Sequence, residues 1–118
     1  MVIEAAAVGI WDWQVQTGEI TFNQRCAEII GYSVEELMPM AFDTWSSKVH
    51  PDDLMLATEV LEKHLRDELD LYSVEIRMLH KNGQYIWILA SGRVVEWESD
   101  GLAKRMIGSH PEIPEHQA

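Results

Sequence analysis

The chain has 118 residues, enough for one domain around a single core, and its 47% apolar content excludes a disordered polypeptide. No apolar run approaches the ~20 residues needed to cross a bilayer, and the formal net charge of -11 argues against nucleic acid or an anionic membrane surface as a partner. The single cysteine, Cys26, cannot form an internal disulfide, which fits a reducing, cytoplasmic setting.

Residues 1–8 read as a linker or the end of a helix, since Ala5-Ala6-Ala7 favours helix. They lack the basic region and long apolar stretch of a secretory signal. Residues 10–16 read as a strand. After a turn at Thr17-Gly18-Glu19, residues 20–23 read as a second, and the short loop makes the pair an antiparallel hairpin. Asn23 is placed to cap a short helix over 24–30 that stops at Gly31. Ser33 and Glu36 have capping-box spacing and start another, which Pro39 ends. Residues 40–50 read as irregular or a single helical turn, with Trp45 as the large anchor.

The spacing predicts a long helix over 52–68. Leu54, Ala57, Leu61, His64 and Leu65 line one face, and Pro51, Asp52 and Asp53 suit its first turn. Residues 71–80 alternate as a half-buried edge strand. Tyr72, Val74, Ile76 and Met78 lie on one face, with Ser73, Glu75 and Arg77 on the other. Asn82-Gly83 is a hairpin turn signal. Residues 85–97 form a long strand apolar on both faces, and residues 104–110 a last strand before Pro111 and Pro114. Strands separated by one helical block predict an α+β fold with an antiparallel sheet.

No catalytic set is present. His50, Asp52 and Asp53 are explained by a helix start, and no Cys or His stands at metal spacing, so no metal is expected. No Gly-rich loop opens a helix after a strand, which excludes the nucleotide-binding fingerprint.

Several short motifs run in a telling order. They are Gly9-Ile-Trp-Asp-Trp13, then Asn23 and Gly31-Tyr32-Ser33 with Glu36-Leu37. Next come Trp45-Ser-Ser-Lys-Val-His50-Pro51-Asp52-Asp53, Glu75-Ile-Arg77, Asn82-Gly83 and Met106-Ile-Gly108. In this order and spacing they resemble a Per-Arnt-Sim (PAS) sensor domain with its PAC motif. The variety is the one with a His-Pro-Asp-Asp signature common in bacterial signalling proteins. The resemblance covers residues 9–113 and leaves 1–8 and 114–118 as linkers. It implies a five-stranded antiparallel sheet with helices covering one face and the first strand central, beside the last. It also implies a sensing and relay module of a histidine kinase or a cyclic-di-GMP enzyme, not itself an enzyme, coupled to an output domain.

That resemblance implies two modes of action. In one, a small ligand is held between sheet and helices, with Phe22, Ile29, Trp45, Leu61, Val74 and Ile76 as candidate pocket residues. His64 joins them on the apolar helix face; some PAS domains hold haem through a histidine there, but a core histidine bonded to backbone or water explains it better. The flavin-bonding motif Asn-Cys-Arg-Phe-Leu is missing. Asn23-Gln-Arg-Cys26-Ala stands on an earlier helix, and Cys26 reads as a small buried residue. A colourless protein, free of haem and flavin, is therefore expected. In the other mode the uncovered sheet face forms a weak homodimer through Trp11, Trp13, Tyr85, Trp87 and Leu89. Of the long strand's two faces, Ile86, Ile88 and Ala90 are expected against the helices. Glu75 and Arg77 read either as a solvated ion-pair face or as an interface with a neighbouring helix. Glu112 and Pro114 replace the Asp and Thr of the family's Asp-Ile-Thr ending.

Overall fold

The computed structural model describes residues 8–113; the expected linkers lie outside them, except for Val8. Strand β1 (Ile10–Gln14) turns into β2 (Glu19–Phe22). Helices α1 (Gln24–Ile29) and α2 (Val34–Leu37) follow, then β3 (Met40–Ala41), α3 (Phe42–Ser46) and the long α4 (Pro51–Leu65). Strands β4 (Tyr72–Leu79), β5 (Tyr85–Trp97) and β6 (Ala103–Ser109) complete the chain. All six strands form one antiparallel sheet in the order β3-β2-β1-β6-β5-β4. The sixth strand is the two-residue β3, too short to show the alternation by which a strand is read.

Local chemistry explains the helix starts. The Asn23 side chain accepts from Cys26 N at 3.0 Å and caps α1. Ser33 Oγ accepts from Glu36 N at 3.2 Å, while the Glu36 carboxylate accepts from Ser33 N at 2.8 Å, a complete capping box on α2. His50 Nδ1 accepts from Asp52 N at 3.1 Å and caps α4, with Pro51 at its first position. The hairpin between β4 and β5 turns at Gly83, whose φ of 93° is open to glycine at no steric cost.

Helix α4 buries Ala57, Leu61 and His64 and packs beside the edge strand β4. The segment before it closes part of that edge. Leu79 N donates to Lys48 O at 2.7 Å and His50 N donates to Arg77 O at 2.8 Å. An unpaired edge of this kind otherwise invites association with other chains.

The central strand orders the core. Asp12 faces outward and pairs with Arg105, Oδ2 to Nη2 at 2.6 Å, so alternation turns Trp11 and Trp13 inward. These two were expected on the uncovered face and are core-side residues instead: Trp11 is buried, and Trp13 stacks on Phe42 of α3 at 5.3 Å. Trp11 lies over two glycines. A Cβ at Gly108 would meet its Cζ2 at 2.4 Å, and one at Gly92 its Cη2 at 2.8 Å. Gly92 and Gly108 pair with each other, and Gly108 also pairs with Trp11. The indole therefore rests on bare backbone of β5 and β6.

Candidate ligand-sensing cavity

Between the sheet and helices α1–α4 lies a cavity of about 50 Å³. Strand β1 contributes Trp11 and Trp13 to its wall, α3 contributes Phe42 and Trp45, and β4 contributes Tyr72 and Met78. Of the expected pocket residues, Ile29, Trp45 and Leu61 line it. Phe22 is half-buried beside the core and pairs in register with Trp11, but does not reach the wall. Val74 and Ile76 are buried in the core away from the cavity; on the same strand Tyr72 and Met78 line it in their place.

His64 is a brace. Its Nδ1–H donates to Leu69 O at 2.8 Å, and its Nε2 accepts from Val94 N at 3.0 Å. The ring is thus the neutral tautomer with both nitrogens engaged, tying the end of α4 to β5. It leaves no nitrogen for a metal, and it does not line the cavity.

Sequence reasoning missed Trp11, Trp13, Tyr72 and His110 as wall residues. The signal was present in the first two, since Asp12 between them marks the outward side. His110 carried no such signal, because it lies just beyond the last strand. Its ring packs against Trp11 at 5.8 Å, and burial pushes its pKa down to about 4, so the imidazole is neutral at physiological pH. Its backbone N donates to Gly9 O at 2.8 Å, which joins the two ends of the described chain beside the cavity.

The wall's polar groups are unusual. Nε1 of Trp11, Trp13 and Trp45 and Oη of Tyr72 are all buried without a protein partner. Leaving such a group unpaired costs about 1–3 kcal/mol. Burial also raises the Tyr72 phenol well above its ordinary range and the Cys26 thiol to about 11, so both stay protonated.

Outside the cavity, Asp53 proves to be more than a helix-start charge. Its carboxylate accepts from Arg77 N at 2.8 Å, Nε at 2.9 Å and Nη2 at 2.9 Å. Neither reading offered for Arg77 included this bond across the sheet edge. The guanidinium also lies 5.2 Å from the Trp87 ring centre on the uncovered face. Tyr85, Trp87 and Leu89 do stand on that face, while Ile88 and Ala90 are buried and Ile86 packs against the core.

The family model for the PAS fold matches residues 19–110. The chain belongs to the PAS-fold family. Its PAS fold is shared with a sensory box histidine kinase/response regulator from Burkholderia thailandensis. That structure has a TM-score of 0.81 and 30% identity, over 95% of this chain and 81% of the other. In sequence the chain is 29% identical to "Probable diguanylate cyclase DgcE" of Escherichia coli, over 96% of its length and 10% of that protein's. It is 28% identical to a blue-light-activated histidine kinase of Brucella ovis, over 83% of its length and 19% of that protein's. This PAS domain thus spans a tenth to a fifth of the length of these relatives.

Light-responsive relatives raise the question of flavin. The residues do not fit it. The edge of the flavin ring system alternates carbonyls with an N–H and calls for amide side chains, whereas no Asn, Gln or carboxylate lines this wall. The cavity is also a third of the ~150 Å³ that accepts a single benzene ring. Haem fits less well still, for the same reason of size. Among the described residues no cluster of three His, Cys, Asp or Glu could hold a metal, and no helix is long and apolar enough to cross a membrane.

Proposed function

We propose that the chain is the sensing and relay module of a cytoplasmic bacterial signalling protein, a histidine kinase or a cyclic-di-GMP enzyme. On this reading the module is not catalytic. It holds a small ligand in the cavity and passes occupancy to an output domain that follows it. The observation that carries the reading is the cavity itself, enclosed between the sheet and helices α1–α4 and walled by aromatic and aliphatic groups. Relay is supported by His110, which lines the cavity while its backbone ties the outgoing chain to Gly9. Native mass spectrometry of protein taken from its host tests the proposal. A small molecule lost on denaturation is the expected result. A bare polypeptide, with no thermal stabilisation by any of a set of small metabolites, would overturn it.

A second reading is a ligand-free dimerisation and relay module. It is favoured by the uncovered sheet face, where Tyr85 is exposed on the same strand face as Trp87 and Leu89, and Ile107 is exposed farther along, opposite Arg93. A standard stable interface buries ~1,600 Å², and one sheet face falls near the weak end. The resulting dimer is expected to be micromolar or weaker, roughly. Sedimentation at rising concentration tests it. Trp87→Glu should abolish association while the monomer stays folded; an unchanged equilibrium would exclude this face.

A further inference from the structure

Helix α4 holds to the core through Ala57, Leu61 and His64, and its outer side keeps apolar groups in water. Pro51, Leu54, Met55, Thr58, Glu59 and Glu62 follow one another at helical spacings of 3, 1, 3, 1 and 3 and line one open groove. Met55 is 78% exposed, the most exposed large apolar residue among those described, and Leu56 beside it is 52% exposed. Neither supports the fold. Scattered exposed apolar residues are ordinary, but apolar residues that adjoin in a groove with a polar rim mark an interaction site. The rim here has one sign. Glu59 and Glu62 stand toward the end of the helix, and no Lys or Arg lines the groove. Lys63 answers Glu59 at 3.8 Å. Glu62 has no salt bridge among the described residues.

We propose that this face of α4 docks a basic amphipathic helix of a partner protein, with an apolar residue set against Met55 and a Lys or Arg set against Glu62. Charge decides the occupant. A second copy brings the same formal net charge of -11. Residues 1–7 and 114–118, which lie outside the described ones, hold Glu4 and Glu115 but no Lys or Arg. A cationic partner supplies what both lack. Spacing sets its pattern. Pro51 to Glu62 rises roughly 16 Å, three helical turns, and Met55 to Glu62 roughly 10 Å. The partner's cation therefore stands about two turns from its apolar residue, and the flexible thioether of Met55 suits such a face. A contact of this length falls below the ~1,200 Å² of a stable complex, so a dissociation constant of about 100 µM is expected. The inference holds whether or not the cavity is filled, although Leu61 of α4 lines that cavity and places a docked helix on the back of its wall.

The test uses the 118-residue chain and three end-capped peptides of roughly 15 residues, long enough to form helix. The first carries leucines along one helical face and lysines two turns from them. The second has glutamate for every lysine. The third has the composition of the first in an order that leaves no apolar face. Each is titrated at low salt and followed by the backbone signals in proton–nitrogen spectra. The first peptide should shift the signals of residues 51–63 and bind about tenfold more tightly than either of the others. Met55→Ser and Glu62→Lys should each weaken it by about fivefold. Both positions are exposed, so the variants should keep the fold, which circular dichroism checks. Equal binding of the third peptide would reduce the groove to bulk charge attraction. Shifts centred on the sheet face would put the site elsewhere, and no binding at millimolar peptide would remove it. Each of these overturns the proposal. Self-association that Met55→Ser abolishes would overturn the choice of occupant in favour of a second copy. None of these outcomes bears on the ligand-sensing reading.

Discussion

Asp53→Ala removes a carboxylate that holds three N–H groups of Arg77 at 2.8–2.9 Å. Hydrogen bonds to a charged group are worth about 1.5–3 kcal/mol each when buried. The Arg77 side chain is 31% exposed and the Asp53 side chain 15%, so the freed guanidinium regains water and most of its share is recovered. What remains is the Arg77 backbone N–H at the sheet edge and the loosened contact between α4 and β4. The expected cost is about 2–3 kcal/mol, which lowers Tm by roughly 10 °C. Asp52→Ala is the control. Asp52 is exposed and acts chiefly on the helix dipole, worth about 0.3–1 kcal/mol. Urea unfolding of both variants near neutral pH compares them. Hydrogen bonding from the Arg77 guanidinium holds the Asp53 carboxyl below its usual range. Its contribution is therefore complete above the unfolded value of ~4 and disappears as pH falls through the lower folded value. The gap between wild type and Asp53→Ala should close in acid. If the two alanine variants lose equal stability, or if the gap survives at the lowest pH where the domain stays folded, the bond across the edge does not hold α4 in place.

His110 titrates in a different window. Its folded pKa of about 4 lies below the ordinary 6.5, so the unfolded chain takes up a proton first as pH falls. Stability should drop by about 3 kcal/mol between those values, and His110→Gln should flatten that part of a denaturation profile. Ser33→Ala, which breaks the capping box, should cost about 1 kcal/mol. Pro51→Ala should cost less, because proline there chiefly stiffens the unfolded chain; a denaturant series ranks the two. Gly108→Ala places a methyl 2.0 Å from Ser91 O as well as against Trp11. Backbone cannot yield as a side chain can, so a loss of about 3 kcal/mol or more is expected by thermal melting.

The elements that could be read from sequence are those with a local cause. Asn23, Ser33 and His50-Pro51 start helices where expected, because caps act within one turn. The alternation at Tyr72–Leu79 gave the right buried face, since one side is charged. The long strand Tyr85–Trp97 is apolar on both sides, yet its inner face was assigned correctly from the compactness of Ile86, Ile88 and Ala90. At β1 the same kind of pattern was overlooked. Asp12, the charged residue between the two tryptophans, pairs outward with Arg105 and so turns both of them inward. The cavity wall was only partly legible. Pockets gather residues from five or more elements, and periodicity within one element cannot say that Tyr72 and Met78 reach the void while Val74 and Ile76 do not. Arg77 was unreadable for a related reason: its partner is 24 residues away, across a sheet edge.

Trp11 gives the cavity an unusual floor. A side chain at position 92 or 108 would form a layer between the ring and the sheet. Here the glycines at 92 and 108 remove that layer, and an indole lies directly on the peptide planes of two strands. A molecule that presses on this ring has no cushion to compress. Its push goes straight into the backbone of β5 and β6, and β6 leads within one residue to His110 and the outgoing chain. The part of the wall seated on bare backbone thus lies on the strand that leads to the outgoing chain.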